Sequence, residues 1–108
     1  MPALKFKAIE AEKVRLISKA LIDELEKIIQ CPRDYFTLEA IQSVFISDGE
    51  FVKGNPVVEV SMFDRGQEVQ DRAAESITRH MNAVGYAGVE VIFLALEKSS
   101  YYENGEHF

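Results

Sequence analysis

The first residues, MPALKFKAI, contain a candidate for chemistry: a proline directly after the initiator methionine. If Met1 is removed, Pro2 carries a secondary amine that can accept a proton or attack a carbonyl carbon. Removal is expected, because proline is a small penultimate residue. The structural alternative is that Pro2 only begins a β-strand, where a residue without a backbone N–H is tolerated. Which interpretation holds depends on the secondary-structure elements that surround Pro2.

The composition limits the class of protein. The 108 residues suffice for one domain, 1–108, and 47% of them are hydrophobic. The longest apolar run, Val91 to Leu96, is far shorter than the ~20 residues that cross a bilayer. The amino terminus shows no basic region followed by an apolar stretch. We therefore expect a cytoplasmic protein with no membrane partner.

The net charge and the small number of cysteines and histidines argue against a nucleic-acid-binding protein and against a zinc protein. Twelve Lys and Arg against eighteen Asp and Glu give a net charge of −6, which disfavours nucleic acid as a partner. The single Cys31 cannot form an internal disulfide, and with two histidines the chain has too few soft ligands for zinc. We expect neither a metal nor another cofactor.

The apolar pattern predicts two similar halves, about 1–48 and 56–98. Alternation indicates strands, and apolar spacings of three and four indicate helices. The predicted elements, in chain order, are a strand around Leu4–Ala8, a helix from about Glu10 to Gln30, a strand over 36–46 that ends at Asp48-Gly49, a loop over 53–56, a strand over 57–63, a helix over 67–83 and a strand over 89–97. This order predicts an α+β fold with a four-stranded mixed sheet and two helices on one face.

The last predicted strand, VEVIFLALE, is apolar on both of its alternating faces. Such a strand is typically covered on both sides. Two helices cover only one face of a small four-stranded sheet, so another copy of the chain is the simplest cover for the other face. We expect an oligomer.

Five stretches carry a further signal: the initial MP, CPRDY after the first helix, NPVVEVSMFDRG, the second helix, and the terminal SSYYENGEHF. Their order and spacing resemble the tautomerase superfamily, in its longer branch with macrophage migration inhibitory factor. The chain is similar to a small bacterial branch whose function is not established. The element order alone also fits a ferredoxin-like sandwich, and periodicity does not separate the two.

The resemblance implies a homotrimer in which the sheets line a central barrel and the helices lie outside. It implies that the mature Pro2 lies in a pocket between subunits and acts as general acid or base in keto-enol tautomerisation of a small 2-oxo acid, without a cofactor. An α-amino group has a reference pKa of roughly 7.7 to 8.0, which desolvation and nearby cations lower. Lys5, Lys7 or Arg65 could supply that positive field.

The resemblance also implies substrate-binding residues. Arg65 stands where some branches have an arginine that holds the substrate carboxylate through two parallel hydrogen bonds. Tyr101, Tyr102 and Asn104 lie in the tail, whose counterpart contributes an aromatic wall to a neighbouring pocket, and either tyrosine could polarise the enol oxygen. The alternatives are a solvated loop arginine and a frayed terminus.

Two positions depart from the cytokine pattern. Cys31 replaces a lysine before the P-x-x-Y turn, and Glu90 replaces a pocket tyrosine in the last long strand. Three hypotheses therefore stay open: a trimeric tautomerase-like enzyme, a monomeric or dimeric ferredoxin-like binding module, and a tautomerase-fold trimer that has lost its chemistry and serves as a structural or interaction protein.

Overall fold

One mixed four-stranded sheet and two helices form the body of the protein. The computed structural model describes every residue from Met1 to Phe108. In chain order, the strands and α-helices are β1 (Ala3–Lys7), α1 (Ala11–Leu25), β2 (Thr37–Ile41), β3 (Phe45–Ser47), β4 (Glu50–Val52), β5 (Val57–Phe63), α2 (Gln67–Ala83), β6 (Glu90–Leu96), β7 (Tyr102–Glu103) and β8 (Glu106–His107). Neither helix combines the length and the apolar character that a membrane crossing needs.

The sheet has the order β2-β1-β5-β6. The pairs β1–β2 and β5–β6 are parallel, and β1 and β5 are antiparallel. A helical crossover therefore joins direct neighbours in each half. A ferredoxin-like sheet instead places another strand between the two strands of each β-α-β unit. The observed order excludes that alternative and confirms the predicted α+β fold with a four-stranded mixed sheet.

The core lies between the sheet and the two helices, which pack against each other. Alternate residues of the central strands point into it, so their buried side chains share one face of the sheet. The fully or nearly fully buried positions are Leu4 and Phe6 in β1, Val58, Val60 and Met62 in β5, Val14, Ile17, Leu21 and Leu25 in α1, and Ala73, Ile77 and Met81 in α2. This packing fixes β1, the strand that follows Pro2.

The other face of the sheet is uncovered in a single chain. Ile92 and Leu94 in the edge strand β6 are 42% and 47% exposed. Near the centre of the same face, the Lys7 Nζ atom lies 2.7 Å from a Glu59 carboxylate oxygen. The face thus carries an apolar strip at one edge and a charged region at its centre.

The predicted strand over 36–46 is wrong at its carboxyl end. β2 ends at Ile41, and β3 instead pairs with β4 in a separate hairpin. Asp48 and Gly49 both have positive φ, 49° and 77°, as a two-residue hairpin turn with the twist of its strands requires. The Asp-Gly signal therefore marks a hairpin rather than only the end of a strand.

The first helix ends at Gln30, as predicted, but its last turn is a π-helix over Glu26–Gln30. Gln30 has a positive φ of 59°, and Pro32 prevents continuation. Beyond it, Arg33 Nη1 donates to Asp23 Oδ1 at 2.6 Å. That contact ties the CPRDY turn to the side of α1.

A polar contact joins the two helices beside the core. The buried Ser76 hydroxyl donates to Glu24 Oε1 at 2.5 Å, and Arg79 Nη1 contacts both carboxylate oxygens at 3.1 and 3.0 Å. The hydrogen bond from Ser76 is the largest cause that lowers the pKa of Glu24, and the hydrogen bond from Arg79 is the next largest. The contact therefore stabilises the fold above the ordinary carboxyl pKa, and this stabilisation is lost as pH falls through the lowered value.

Ser76→Ala is expected to lower the free energy of unfolding by about 1 kcal/mol near neutral pH, because it removes one hydrogen bond to a carboxylate. The difference from wild type should shrink in acid, where Glu24 is protonated in both proteins. Urea denaturation followed by circular dichroism measures it. Ser18→Ala is the matched control, because the Ser18 hydroxyl bonds only to Arg15 O in its own helix. Equal losses in the two variants would contradict the role of the interhelical contact.

Candidate functional site

Pro2 is buried at the beginning of a strand that is paired on both sides. Its carbonyl oxygen accepts a hydrogen bond from the Thr37 N–H at 3.1 Å. Ala3, the next residue, lies in register between Thr37 and Ser61. Since proline has no N–H to leave unpaired, the sequence suits this position. The chain start is therefore held inside the body of the protein rather than free in solvent.

Arg65 lies in the turn that follows β5, where the Gly66 N–H donates to Asp64 Oδ1 at 2.8 Å. Its guanidinium Nη1 donates to Ile29 O at 3.2 Å, which links the end of β5 to the π-helical turn. Arg65 also acts on the amino end of the chain. Burial lowers the pKa of the terminal amine, here that of Met1; Cys31 opposes that shift and Arg65 adds to it. Arg65, Cys31 and the chain start are thus electrostatically coupled.

Cys31 is 8% exposed and belongs to the core cluster. Burial raises the pKa of its thiol, the nearby amine and Arg65 partly offset that shift, and Glu26 adds to it. A buried thiol with a raised pKa is a poor nucleophile. Cys31 therefore acts as a neutral, apolar wall beside the chain start.

A cavity of about 250 Å3 lies beside Pro2 on the open face of the sheet. We call it the Pro2 trough; its polar or reactive lining residues are Pro2, Lys5, Tyr35, Thr37, Ser61 and Tyr101. Arg65 lines a different cavity, of about 80 Å3, formed with Phe63 and Leu94 among others. The trough can hold a small molecule against Pro2, with hydroxyl groups and one lysine around it.

The tail folds back onto its own chain. Tyr101 packs at a tilt against Phe63 and Phe108, with ring centroids 5.5 and 4.8 Å away, and its carbonyl accepts the Phe108 N–H at 3.0 Å. β7 and β8 pair around a turn in which Asn104 and Gly105 have φ of 54° and 89°. The alternative of a frayed terminus is therefore wrong: the tail is a small hairpin held by an aromatic cluster.

The structure brings some predicted site residues together and separates others. Tyr101 lines the Pro2 trough, whereas Tyr102 is 62% exposed and packs only edge-on against His107. Asn104 is exposed in the hairpin turn. Glu90 pairs with Val57, at the end of the sheet opposite to Pro2. No cluster of three or more His, Cys, Asp or Glu side chains is arranged to hold a metal ion.

Three hydroxyl-bearing trough residues were not predicted as site residues: Tyr35, Thr37 and Ser61. Tyr35 belongs to the CPRDY turn, which marks the family resemblance but gives no contact. Thr37 and Ser61 reach the trough only because their strands flank Ala3 in register. A pattern of alternation predicts strands but not which residues face each other across them. The signal for these two residues is therefore the strand order.

A family model described as "Domain of unknown function (DUF1904)" matches residues 1–107. The chain is also similar to the solved structure of a DUF1904 domain from Sebaldella termitidis ATCC 33386. The two are 37% identical over 100% of both chains, with a TM-score of 0.91. The chain matches no curated protein.

More distant structures share the fold. A macrophage migration inhibitory factor-like protein from Entamoeba histolytica is 15% identical, with a TM-score of 0.71 over 99% of this chain and 98% of that one. A fused 4-OT described as an asymmetric trimer is 12% identical, with a TM-score of 0.76 over 97% of this chain and 94% of that one. The resemblance to the tautomerase superfamily is confirmed as a shared fold.

Tyr101→Ala is expected to release the tail hairpin, because it removes the ring that contacts both Phe63 and Phe108. An aromatic contact of this kind is worth about 1 kcal/mol, so the Phe108 amide should exchange with deuterium roughly fivefold faster. Amide exchange followed by NMR measures this. Tyr102→Ala is the matched control and should leave the rate unchanged. Equal acceleration in the two variants would contradict a selective role for Tyr101.

Proposed function

The chain belongs to the DUF1904 family and has the fold of the tautomerase superfamily, and from these two facts we propose that it is a tautomerase-like enzyme. Its mature amino-terminal Pro2 is the general acid and base, and its substrate is a small 2-oxo acid or related carbonyl acid. The observation that carries the proposal is the buried start of β1, next to a cavity, where burial and Arg65 lower the pKa of the Met1 amine that precedes Pro2.

The chemistry follows from that placement once Met1 is removed. A neutral Pro2 amine takes a proton from the carbon next to the substrate carbonyl. The electron pair of that C–H bond forms a C=C bond, and the π pair of the carbonyl moves onto its oxygen to give the enolate. The proton then returns to this oxygen, which completes a keto-to-enol conversion with no net change of atoms. Tyr101, which lines the trough, is the proposed hydrogen-bond donor to the developing oxygen charge.

Arg65 is proposed to act on the amine. A nearby cation destabilises the protonated amine, so it favours the neutral base near neutral pH. The family resemblance gives Arg65 the role of carboxylate anchor, but its Nη1 is bonded to Ile29 O and it lines a cavity separate from the Pro2 trough. Tyr102 and Asn104, which do not line the trough of their own chain, would have a binding role only in a neighbouring subunit.

We further propose that the functional unit is a homotrimer. Ile46 and Phe51 face each other across the β3–β4 hairpin and are 67% and 81% exposed. A two-stranded hairpin with its apolar face in water is marginally stable, so it needs a partner. The apolar strip of Ile92 and Leu94 on the open sheet face is a second, different surface. A contact between two different patches forms a ring when its rotation closes, and a fused 4-OT with the same fold is described as a trimer.

Pro2→Ala is expected to lower the conversion of phenylpyruvate between its enol and keto forms by at least about 100-fold, because the positioned secondary amine is lost. Ultraviolet absorbance of the enol measures the rate. Pro56→Ala is the matched control, since Pro56 lies in the loop before β5, at the far end of the sheet from Pro2.

Unchanged turnover in Pro2→Ala would remove the proline from the mechanism. The intact mass of untagged protein is a companion measurement. If Met1 is retained in cells, the Pro2 nitrogen is an amide and the enzymatic proposal fails. The fold would then serve a structural or binding role.

Phe51→Ser is expected to convert the trimer into smaller species, because it removes the most exposed apolar side chain of the hairpin. Light scattering after size-exclusion chromatography gives the mass. Leu16→Ser is the matched control: Leu16 is 58% exposed on α1, a helix that the proposed trimer places outside. A trimeric Phe51→Ser protein would contradict the proposed interface, and a monomeric wild type would contradict the trimer itself.

A further inference from the structure

The Pro2 trough contains a cation, Lys5, that the proposed mechanism does not use. Lys5 lies on the open face of β1, three residues beyond Pro2 and therefore about 10 Å along an extended strand. Ala3 lies between Pro2 and Lys5, and Thr37 and Ser61 flank it on the two neighbouring strands. A molecule that reaches from Pro2 to Lys5 would thus pass over Ala3, with one hydroxyl group on each side.

The Lys5 ammonium is not engaged in an ion pair, although its neighbours are charged. In register, Lys5 lies between Glu39 in β2 and Glu59 in β5. Glu59 is bonded to Lys7 at 2.7 Å, whereas Lys5 takes part in none of the ion pairs of the structure. Glu39 is exposed and is the one remaining carboxylate beside Lys5 in the sheet. Lys5 therefore has donors available for a ligand.

Arg65 is placed differently. Its Nη1 is bonded to the Ile29 carbonyl, and the cavity that it lines is separate from the one shared by Pro2 and Lys5. Arg65 and Lys5 thus lie in separate places. Arg65 links the end of β5 to the π-helical turn, whereas Lys5 is unpaired at the open side of the trough.

We propose that Lys5, rather than Arg65, is the residue that binds the carboxylate of the substrate in the Pro2 trough, because Arg65 is bonded to Ile29 O and lines a separate cavity. This inference rests on the proposed function of Pro2. It identifies the substrates as acids whose carboxylate binds to a lysine on the open face of the sheet. It also predicts that affinity and proton transfer depend on different cations.

The experiment separates these roles by binding and by turnover. NMR titrations of the full-length protein with phenylpyruvate and with its uncharged methyl ester give affinities that require no catalysis. Lys5→Met should weaken binding of the acid at least about tenfold and leave binding of the ester unchanged, because one charged hydrogen bond is lost. Lys5→Arg should restore binding of the acid. Lys53→Met is the matched control, because it removes an exposed lysine in the loop before β5, outside the trough. It should change both affinities by less than twofold, which corresponds to about 0.4 kcal/mol.

Kinetics give the second readout. Lys5→Met should raise KM with kcat nearly unchanged, and Arg65→Met should instead move the acid limb of the kcat/KM profile to higher pH, because the amine loses a nearby cation. Wild-type binding of the acid by Lys5→Met, or equal weakening of acid and ester, would overturn the assignment of Lys5. Failure of the proposed function looks different: the wild type would bind the acid through Lys5 without converting it.

Discussion

The site depends on one constraint: β1 is a central strand, paired on both sides, and it starts one residue after Pro2. A chain terminus ordinarily frays because little holds it. Here the Thr37 N–H binds the Pro2 carbonyl, and Leu4 and Phe6 anchor the strand in the core. Burial of the chain start lowers the pKa of its amine. The chemistry proposed for Pro2 is thus a consequence of strand order.

Much of this arrangement is predictable from the sequence, because it depends on local patterns. The alternation of Leu4 and Phe6 with lysines, and the helical stripes, correctly predict the sheet and both helices. The tail hairpin escapes such reasoning, since β7 and β8 are two residues each and the hairpin is supported by the distant Phe63 ring. Asn104 illustrates the consequence: a residue predicted to bind substrate lies in a hairpin turn with positive φ.

The trough shows a second limit. Two of its hydroxyl groups, those of Thr37 and Ser61, come from β2 and β5, which the chain separates by two hairpin strands and a loop. Their meeting at Ala3 follows from register, and register depends on packing of the whole sheet against the helices. The family resemblance directs attention to Arg65, because that position has a motif. Lys5 carries no motif: the sequence suggests it only as one possible source of positive field, and its role as a ligand-binding residue follows from the cavity that it shares with Pro2.

Cys31 connects the departures from the family pattern with the electrostatics of the site. A lysine there, as in the cytokine branch, would put a cation beside the chain start; a thiolate would put an anion there and hold a proton on the amine. Burial raises the pKa of Cys31, so the group stays a neutral thiol and opposes the lowered amine pKa only weakly near neutrality. Arg65 then supplies the nearby positive charge.

Since the chain carries a net charge of −6, its long-range field repels carboxylates, and a local cation such as Lys5 is needed to bind one. In the proposed mechanism, the neutral thiol and the fixed arginine favour a neutral Pro2 amine, and the free lysine attracts the acid.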